Sequence, residues 1–226
     1  MEGYTGTLGW VRRRTKLVGR RLEAAVIPAA RTSQYCIPAG YKHRTRNRRY
    51  DDAPNTDQYQ NEVYQAASEY LASLGGGRVY DIGCGSAYKL MKFFARDETV
   101  GFDLPETVAF LKRTYPDRDW AISKLDEPPR ESCDALICSD VVEHIIDPDE
   151  LMNFLADIDF KKLFLSTPDR DLVYGANNLG PPLNKAHCRE WNFTEFATYA
   201  SQWFAVDEHF VANREQSTQL IVCRRK

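Results

Sequence analysis

At 226 residues and 43% hydrophobic content, the chain can build one sizeable core, which predicts a single domain with an appendage. Its six cysteines, Cys36, Cys84, Cys133, Cys138, Cys188 and Cys223, include no CxxC pair, which argues against a disulfide framework and for a reduced, cytoplasmic protein. The formal net charge of −2 conceals an asymmetry: residues 1–49 hold 12 Lys/Arg against Glu2 and Glu23, a balance of +10, leaving −12 for the remainder.

The basic residues mark an N-terminal extension over 1–56. Such an arm can dock on the acidic body, touch a membrane surface or bind a phosphate-rich partner. A solvated extension is the simplest reading, because no helical face or aromatic interleaving organises the charges. Its apolar stretch "LEAAVIPAA" is short and interrupted by Glu23 and Pro28, which suits neither a signal peptide nor a membrane span.

From Asp57 to the end the chain alternates helical and strand periods and reads as one domain, 57–226. Val63, Ala67, Tyr70, Leu71 and Leu74 mark one face of a helix stopped at Gly75-Gly76-Gly77. "RVYDIG" is a short buried strand, followed by a helix near 87–95, the strand "TVGFD" and a helix opened by Pro105. "DWAIS" and "CDALICS" are further strands, with helical stretches expected from Asp140 and from Pro148 to Ile158. "KKLFLST" is a fifth strand, "FTEFATYASQW" a helix, and "FAVDEHFVA" with "STQLIVCRR" a closing antiparallel pair. The pattern predicts an α/β fold, a doubly wound, mostly parallel seven-stranded sheet with its site at the carboxyl ends of the strands.

Two features mark that site. In "VYDIGCGSAY", Gly83 and Gly85 let the backbone turn sharply and approach a ligand, and Asp81 can orient the loop or a ligand ammonium. Asp103 ends the second strand 20 residues after Gly83, where a carboxylate can accept both hydroxyls of a ribose. A dinucleotide oxidoreductase would place a third glycine at position 88, which here is Tyr88.

These residues resemble the class I S-adenosylmethionine-dependent methyltransferases, whose first motif is D-x-G-x-G-x-G; Asp81, Gly83 and Gly85 match, and Ala87 stands at the third glycine. The resemblance implies that Gly83, Cys84 and Gly85 line the methionine part of S-adenosylmethionine, that Asp103 and Leu104 hold its ribose, that Ser123 or Lys124 meets the adenine, and that Ser139 lies near the methyl donor.

The segment "SDVVEHIIDP" leaves the fourth strand and places Asp140, Glu143 and His144 at i, i+3, i+4, on one face if a helix continues. Two carboxylates and an imidazole suit Mg²⁺ or Mn²⁺, and the imidazole also admits Fe, Co or Zn. D/E-x-x-E-H resembles two metal-using branches, the small-RNA 3′-end 2′-O-methyltransferases and the ubiquinone-pathway O-methyltransferases. The RNA branch implies a fourth ligand beyond the fifth strand, which matches His187. A metal-free reading makes Asp140 a helix cap and His144 or His187 the general base; the catalytic candidates are thus His144, His187 and Asp140.

Both readings point to transfer onto oxygen, and a chelating metal suits two adjacent hydroxyls best. The long "STPDRDLVYGANNLGPPLNKAHCREW" linker predicts a substrate lid and resembles methyltransferases of glycan or secondary-metabolite assembly. Arg170 or Arg189 could bind an anionic group there, though a surface arginine paired with a carboxylate is the simpler expectation; Tyr59, Gln60 and Tyr64 could cover the cofactor or pack the leading helix. The expected activity is O-methylation of a saccharide or polyhydroxylated small metabolite. The alternatives are RNA 3′-end 2′-O-methylation, to which the basic extension would add nucleic-acid affinity, and cofactor binding without catalysis.

Overall fold

A computed structural model describes residues 34–46 and 57–226. The basic cluster at Arg12 to Arg14 and the "LEAAVIPAA" stretch lie outside the described residues. Seven strands form one sheet in the order β3-β2-β1-β4-β5-β7-β6. The first five, β1 (Arg78–Ile82), β2 (Glu98–Asp103), β3 (Asp119–Ile122), β4 (Cys133–Ser139) and β5 (Phe160–Pro168), run parallel. Strand β7 (Thr218–Arg225) pairs antiparallel with both β5 and β6 (Phe204–Asn213), which closes the sheet as the sequence predicts.

Helix α1 (Asn61–Ser73) buries Val63, Tyr64, Ala67 and Leu71 against the sheet. It stops because Gly75 and Gly76 take positive φ and their N–H groups return to Ala72 and Leu71 carbonyls. Helices α2 (Tyr88–Phe93) and α3 (Pro105–Thr114) cover the same face, while α4 (Pro148–Asp157) and α6 (Phe193–Ala200) pack on the other. A short α5 (Arg170–Tyr174) follows β5. Among the described residues no helix is long and apolar enough to cross a membrane.

Two expectations need correction. The helix expected from Asp140 does not form: Asp140 takes φ 53 and only a single 3-10 turn, Val142–His144, follows. Its left-handed backbone turns the chain away from the strand before any helical ladder can start. The helix near 87–95 is shorter, because Ala87 at its N-cap adopts φ 55, the conformation that a glycine would take most easily, and the chain leaves the helix at Phe94.

Residues 34–46 lie against the body as a strap. Ile37 is buried in the core beside α6, and Lys42 N–H donates to the Leu179 carbonyl at 2.8 Å.

Candidate active site

The carboxyl ends of β1, β2, β3 and β4 bring the motif residues to one edge of the sheet. After β1 the chain turns at Gly83 (φ 76) and Gly85 (φ 52), and the Gly83 and Cys84 N–H groups donate to the Phe102 carbonyl at 2.8 and 3.2 Å. A Cβ on Gly83 would come within 2.5 Å of Val141 Cγ2, so this position fixes how closely the loop approaches the end of β4. Asp103 accepts the Gly85 N–H at 2.8 Å through Oδ2 and the Leu104 N–H at 2.7 Å through Oδ1, tying the glycine loop to the end of β2. Each carboxylate oxygen retains lone-pair capacity for a ribose hydroxyl.

Beside Asp103, in register on β3, stands Ile122; it and Leu104 are 46% and 48% exposed, an apolar pair at the edge where an adenine would lie. Ser123 N–H donates to the Asp103 carbonyl at 2.9 Å, while Lys124 is drawn outward to Glu127 at 2.8 Å. Asp81 is fully buried and accepts from the Tyr64 hydroxyl at 2.9 Å, which places Tyr64 as a support of the motif. Cys84 is buried within the loop, and Ser139 is buried with its Oγ 2.9 Å from Ser166 Oγ.

The polar cluster beyond β4 is assembled differently from the sequence expectation. Glu143, His144 and His187 each bring one ligand-type atom to within 4.8 Å of the others, about twice the ~2.1 Å bond from such atoms to a divalent cation. Asp140 is not among them. Its Oδ1 accepts from Ser166 Oγ at 2.7 Å and its Oδ2 from Gln60 Nε2 at 3.0 Å, a bracing role set by the positive φ. Burial raises the Asp140 pKa, with these two hydrogen bonds opposing.

Glu143 has no solvent exposure. Its Oε2 accepts from Thr167 at 3.0 Å, while Oε1 is buried without a hydrogen-bond partner. Burial, and then the neighbouring Asp140, push its pKa well above the carboxylate range. His144 Nδ1 lies 3.0 Å from the Ala186 carbonyl, which can only accept, so the proton sits there and Nε2 carries the lone pair. Burial, and then His187, lower the His144 pKa to about 4, so the ring is neutral at physiological pH. The His187 ring stands edge-on to it, 4.7 Å between centroids. His187 Nδ1 is 2.5 Å from Glu190 Oε1 and Nε2 is 2.9 Å from Asn184 Nδ2, so a carboxylate orients the ring with its Nε2 lone pair toward the amide.

The linker after β5 delivers His187. Neither arginine expected at a surface is exposed: Arg170 makes a bidentate pair with Glu195 at 2.7 and 2.8 Å, and Arg189 donates to the Ile145 and Ile146 carbonyls at 2.7 and 2.5 Å. Both are committed to holding the loop. Thr167, Ser166, Asn184 and Glu190 are site residues that sequence reading passes over; only the short spacing from His187 to Glu190 signals one of them.

A family model described as a methyltransferase domain matches residues 56–223. Comparison with curated proteins gives no match. Among solved structures, the chain is similar to the methyltransferase domain of bacterial CtHen1-CN, at 22% identity and TM-score 0.54 over 73% of this chain and 98% of that one. It is also similar to magnesium protoporphyrin IX methyltransferase from Synechocystis PCC 6803 with bound SAM, at 14% identity and TM-score 0.56 over 77% and 88% of the two chains. A third is the N-methyltransferase NodS from Bradyrhizobium japonicum WM9 in complex with S-adenosylhomocysteine, at 13% identity and TM-score 0.56 over 76% and 89%.

Proposed function

Since the chain belongs to the methyltransferase-domain family and is an S-adenosylmethionine-dependent methyltransferase, we propose that it methylates a hydroxyl of a saccharide or other polyhydroxylated small metabolite, with a divalent cation at Glu143, His144 and His187. The observation that carries the proposal is the buried Glu143 carboxyl, whose Oε1 has no hydrogen-bond partner while His144 and His187 each bring a ring nitrogen within 4.8 Å of one of its oxygens. An ionised carboxylate in such a place is costly unless a cation or proton compensates it.

The residues fit S-adenosylmethionine as they stand, and they fit a cation that displaces the Asn184 amide from His187 Nε2, whose lone pair that amide holds at 2.9 Å. S-adenosylmethionine supplies an electrophilic methyl on a sulfonium; Gly83 and Gly85 would give it room, Asp103 would accept from its ribose, and Leu104 with Ile122 would flank its adenine. A divalent cation supplies a Lewis acid that lowers the pKa of a coordinated hydroxyl. Two imidazoles with one carboxylate, Asp140 being committed elsewhere, favour Mn²⁺, Fe, Co or Zn over Mg²⁺, which prefers an all-oxygen shell. Around this centre His144 stays neutral with its proton on Nδ1, Glu190 orients His187, and Asp140 braces the end of β4 against β5 and Gln60.

A 3′-terminal ribose of RNA also offers two adjacent hydroxyls, and the +10 balance of residues 1–49 favours it as a second reading. Methyl transfer from labelled cofactor to fractionated glycans, small metabolites and RNA separates the two. Chelator should abolish turnover, and Mn²⁺ should restore it better than Mg²⁺. Full turnover in chelator removes the cation from the proposal, and labelling confined to RNA replaces the metabolite acceptor.

A further inference from the structure

The turn Asn184–Cys188, which carries His187, is held from two sides. On the inner side, the Cys188 N–H donates to the Glu143 carbonyl at 2.7 Å and His144 Nδ1 donates to the Ala186 carbonyl at 3.0 Å. On the outer side stands one residue of the strap. Arg44 Nη1 donates to the Asn184 carbonyl at 3.0 Å and to the His187 carbonyl at 3.3 Å, and Arg44 N–H donates to the Cys188 carbonyl at 2.7 Å. Arg44 therefore engages both ends of the turn and the carbonyl of the histidine itself.

The rest of the strap fixes where Arg44 stands. Tyr41 Oη accepts the Glu190 N–H at 3.1 Å, and the Tyr35 carbonyl accepts from Trp191 Nε1 at 2.8 Å. At the crossing of strap and loop, Gly180 (φ +67) leaves no room for a Cβ, which would run into the Lys42 carbonyl and the Tyr41 ring.

We infer that Arg44 is a positioning residue for His187, so that a segment ahead of the matched domain, residues 56–223, is a working part of the active site. The inference rests on the reading of His187 as a site residue. With a turn of two intervening residues between Asn184 and His187, a shift of the backbone at either carbonyl alters where the imidazole points and whether Glu190 still meets Nδ1. Three charge-assisted or backbone bonds from one residue hold that geometry.

The test uses the full chain with ¹⁵N-labelled histidine, as wild type, Arg44→Ala and Arg44→Lys. Ring-nitrogen NMR should show His187 as a single tautomer with its proton on Nδ1 in the wild type, mixed tautomers in Arg44→Ala, and partial recovery in Arg44→Lys. The His209 ring, on β6 and stacked on Phe193, makes no contact with Arg44 and reports that the fold is intact. In parallel, Mn²⁺ binding followed by electron paramagnetic resonance should weaken about 10- to 100-fold in Arg44→Ala, while S-adenosylmethionine affinity stays within about twofold. Unchanged His187 ring signals in Arg44→Ala would overturn the inference. A wild type that binds no Mn²⁺ would end the cation reading instead, and the ring-nitrogen comparison would still decide the role of Arg44.

Discussion

At Glu143, burial and function pull in opposite directions. The side chain is fully enclosed, which favours its neutral form, yet a cation can bind only the carboxylate. A carboxyl whose folded pKa is raised contributes stability below its ordinary pKa of about 4.3 and loses that contribution as pH rises through the folded value. A cation takes over as the compensating charge where the proton leaves, so its stabilising effect should grow in that direction. Thermal melts with and without Mn²⁺ should show a larger rise in Tm at pH 8 than at pH 6, and no rise in Glu143→Gln. His144, held near pKa 4, is neutral at both pH values and adds no pH dependence to the difference. Equal shifts at the two pH values would show that no buried carboxyl ionises on binding. Glu143, His144 and His187 were legible in the sequence because an "EH" pair after a buried strand and a later histidine before a helix start are local patterns. Asp140 misled, since its i, i+3 relation to Glu143 places both on one face only in a helix, and φ 53 removes the helix. The partners Thr167 and Gln60 come from other elements, and no spacing in the chain announces them, whereas Glu190 lies only three residues after His187.

At the scale of elements, the loop between β5 and α6 is tied to the start of α6 by a buried ion pair. Glu195 accepts both guanidinium nitrogens of Arg170 and also closes the capping box of α6, accepting the Asn192 N–H at 3.1 Å while its own N–H returns to Asn192 Oδ1 at 2.9 Å. Removing it leaves the buried guanidinium with Asp171, 3.6 Å from its Nε and outside hydrogen-bond distance, in place of a bidentate partner, and uncaps the helix. Glu195→Ala should lower stability in urea by about 3–5 kcal/mol, and Arg170→Met/Glu195→Leu should recover much of the loss, because apolar groups need no counter-charge. A loss below about 1 kcal/mol in the single variant would show the pair to be dispensable. The sequence reading expects an arginine of this loop to pair with a carboxylate, as Arg170 does, but places the pair at the surface, whereas the structure buries it. The strands and helices themselves were legible for physical reasons: β4 and β5 carry the apolar runs Ala135–Cys138 and Leu163–Leu165, buried throughout, and Pro105, Pro148 and Gly75 punctuate helices where a missing N–H or a positive φ is tolerated.

For the whole molecule, the question is where the folded unit begins. The family match starts at residue 56, and a reading by charge puts everything before 57 into an extension, because Lys and Arg dominate 1–49. Composition hides the few residues that matter for packing. Ile37 is 2% exposed and belongs to the core cluster formed by α4, α6, Trp191 and the inner face of β4 and β5. Around it, Tyr35 meets Tyr199 edge-on at 6.2 Å and lies under the Arg189 guanidinium at 4.4 Å, so the strap seals the side of the core from which His187 is delivered. If the strap is part of the folded unit, truncating its buried anchor must cost as much as a core truncation elsewhere. Ile37→Ala should destabilise by at least about 2 kcal/mol, the lower end for a buried isoleucine reduced to alanine. For a chain of this size that corresponds to a fall in Tm of roughly 4–8 °C, read by calorimetry. Surface positions of the same segment, such as Lys42 and His43, should change Tm by no more than about 1 °C on substitution with alanine, since exposed side chains away from a packed contact stay within about 0.5 kcal/mol. An Ile37→Ala protein that melts with the wild type would place the start of the folded unit after the strap and return residues 34–46 to the extension.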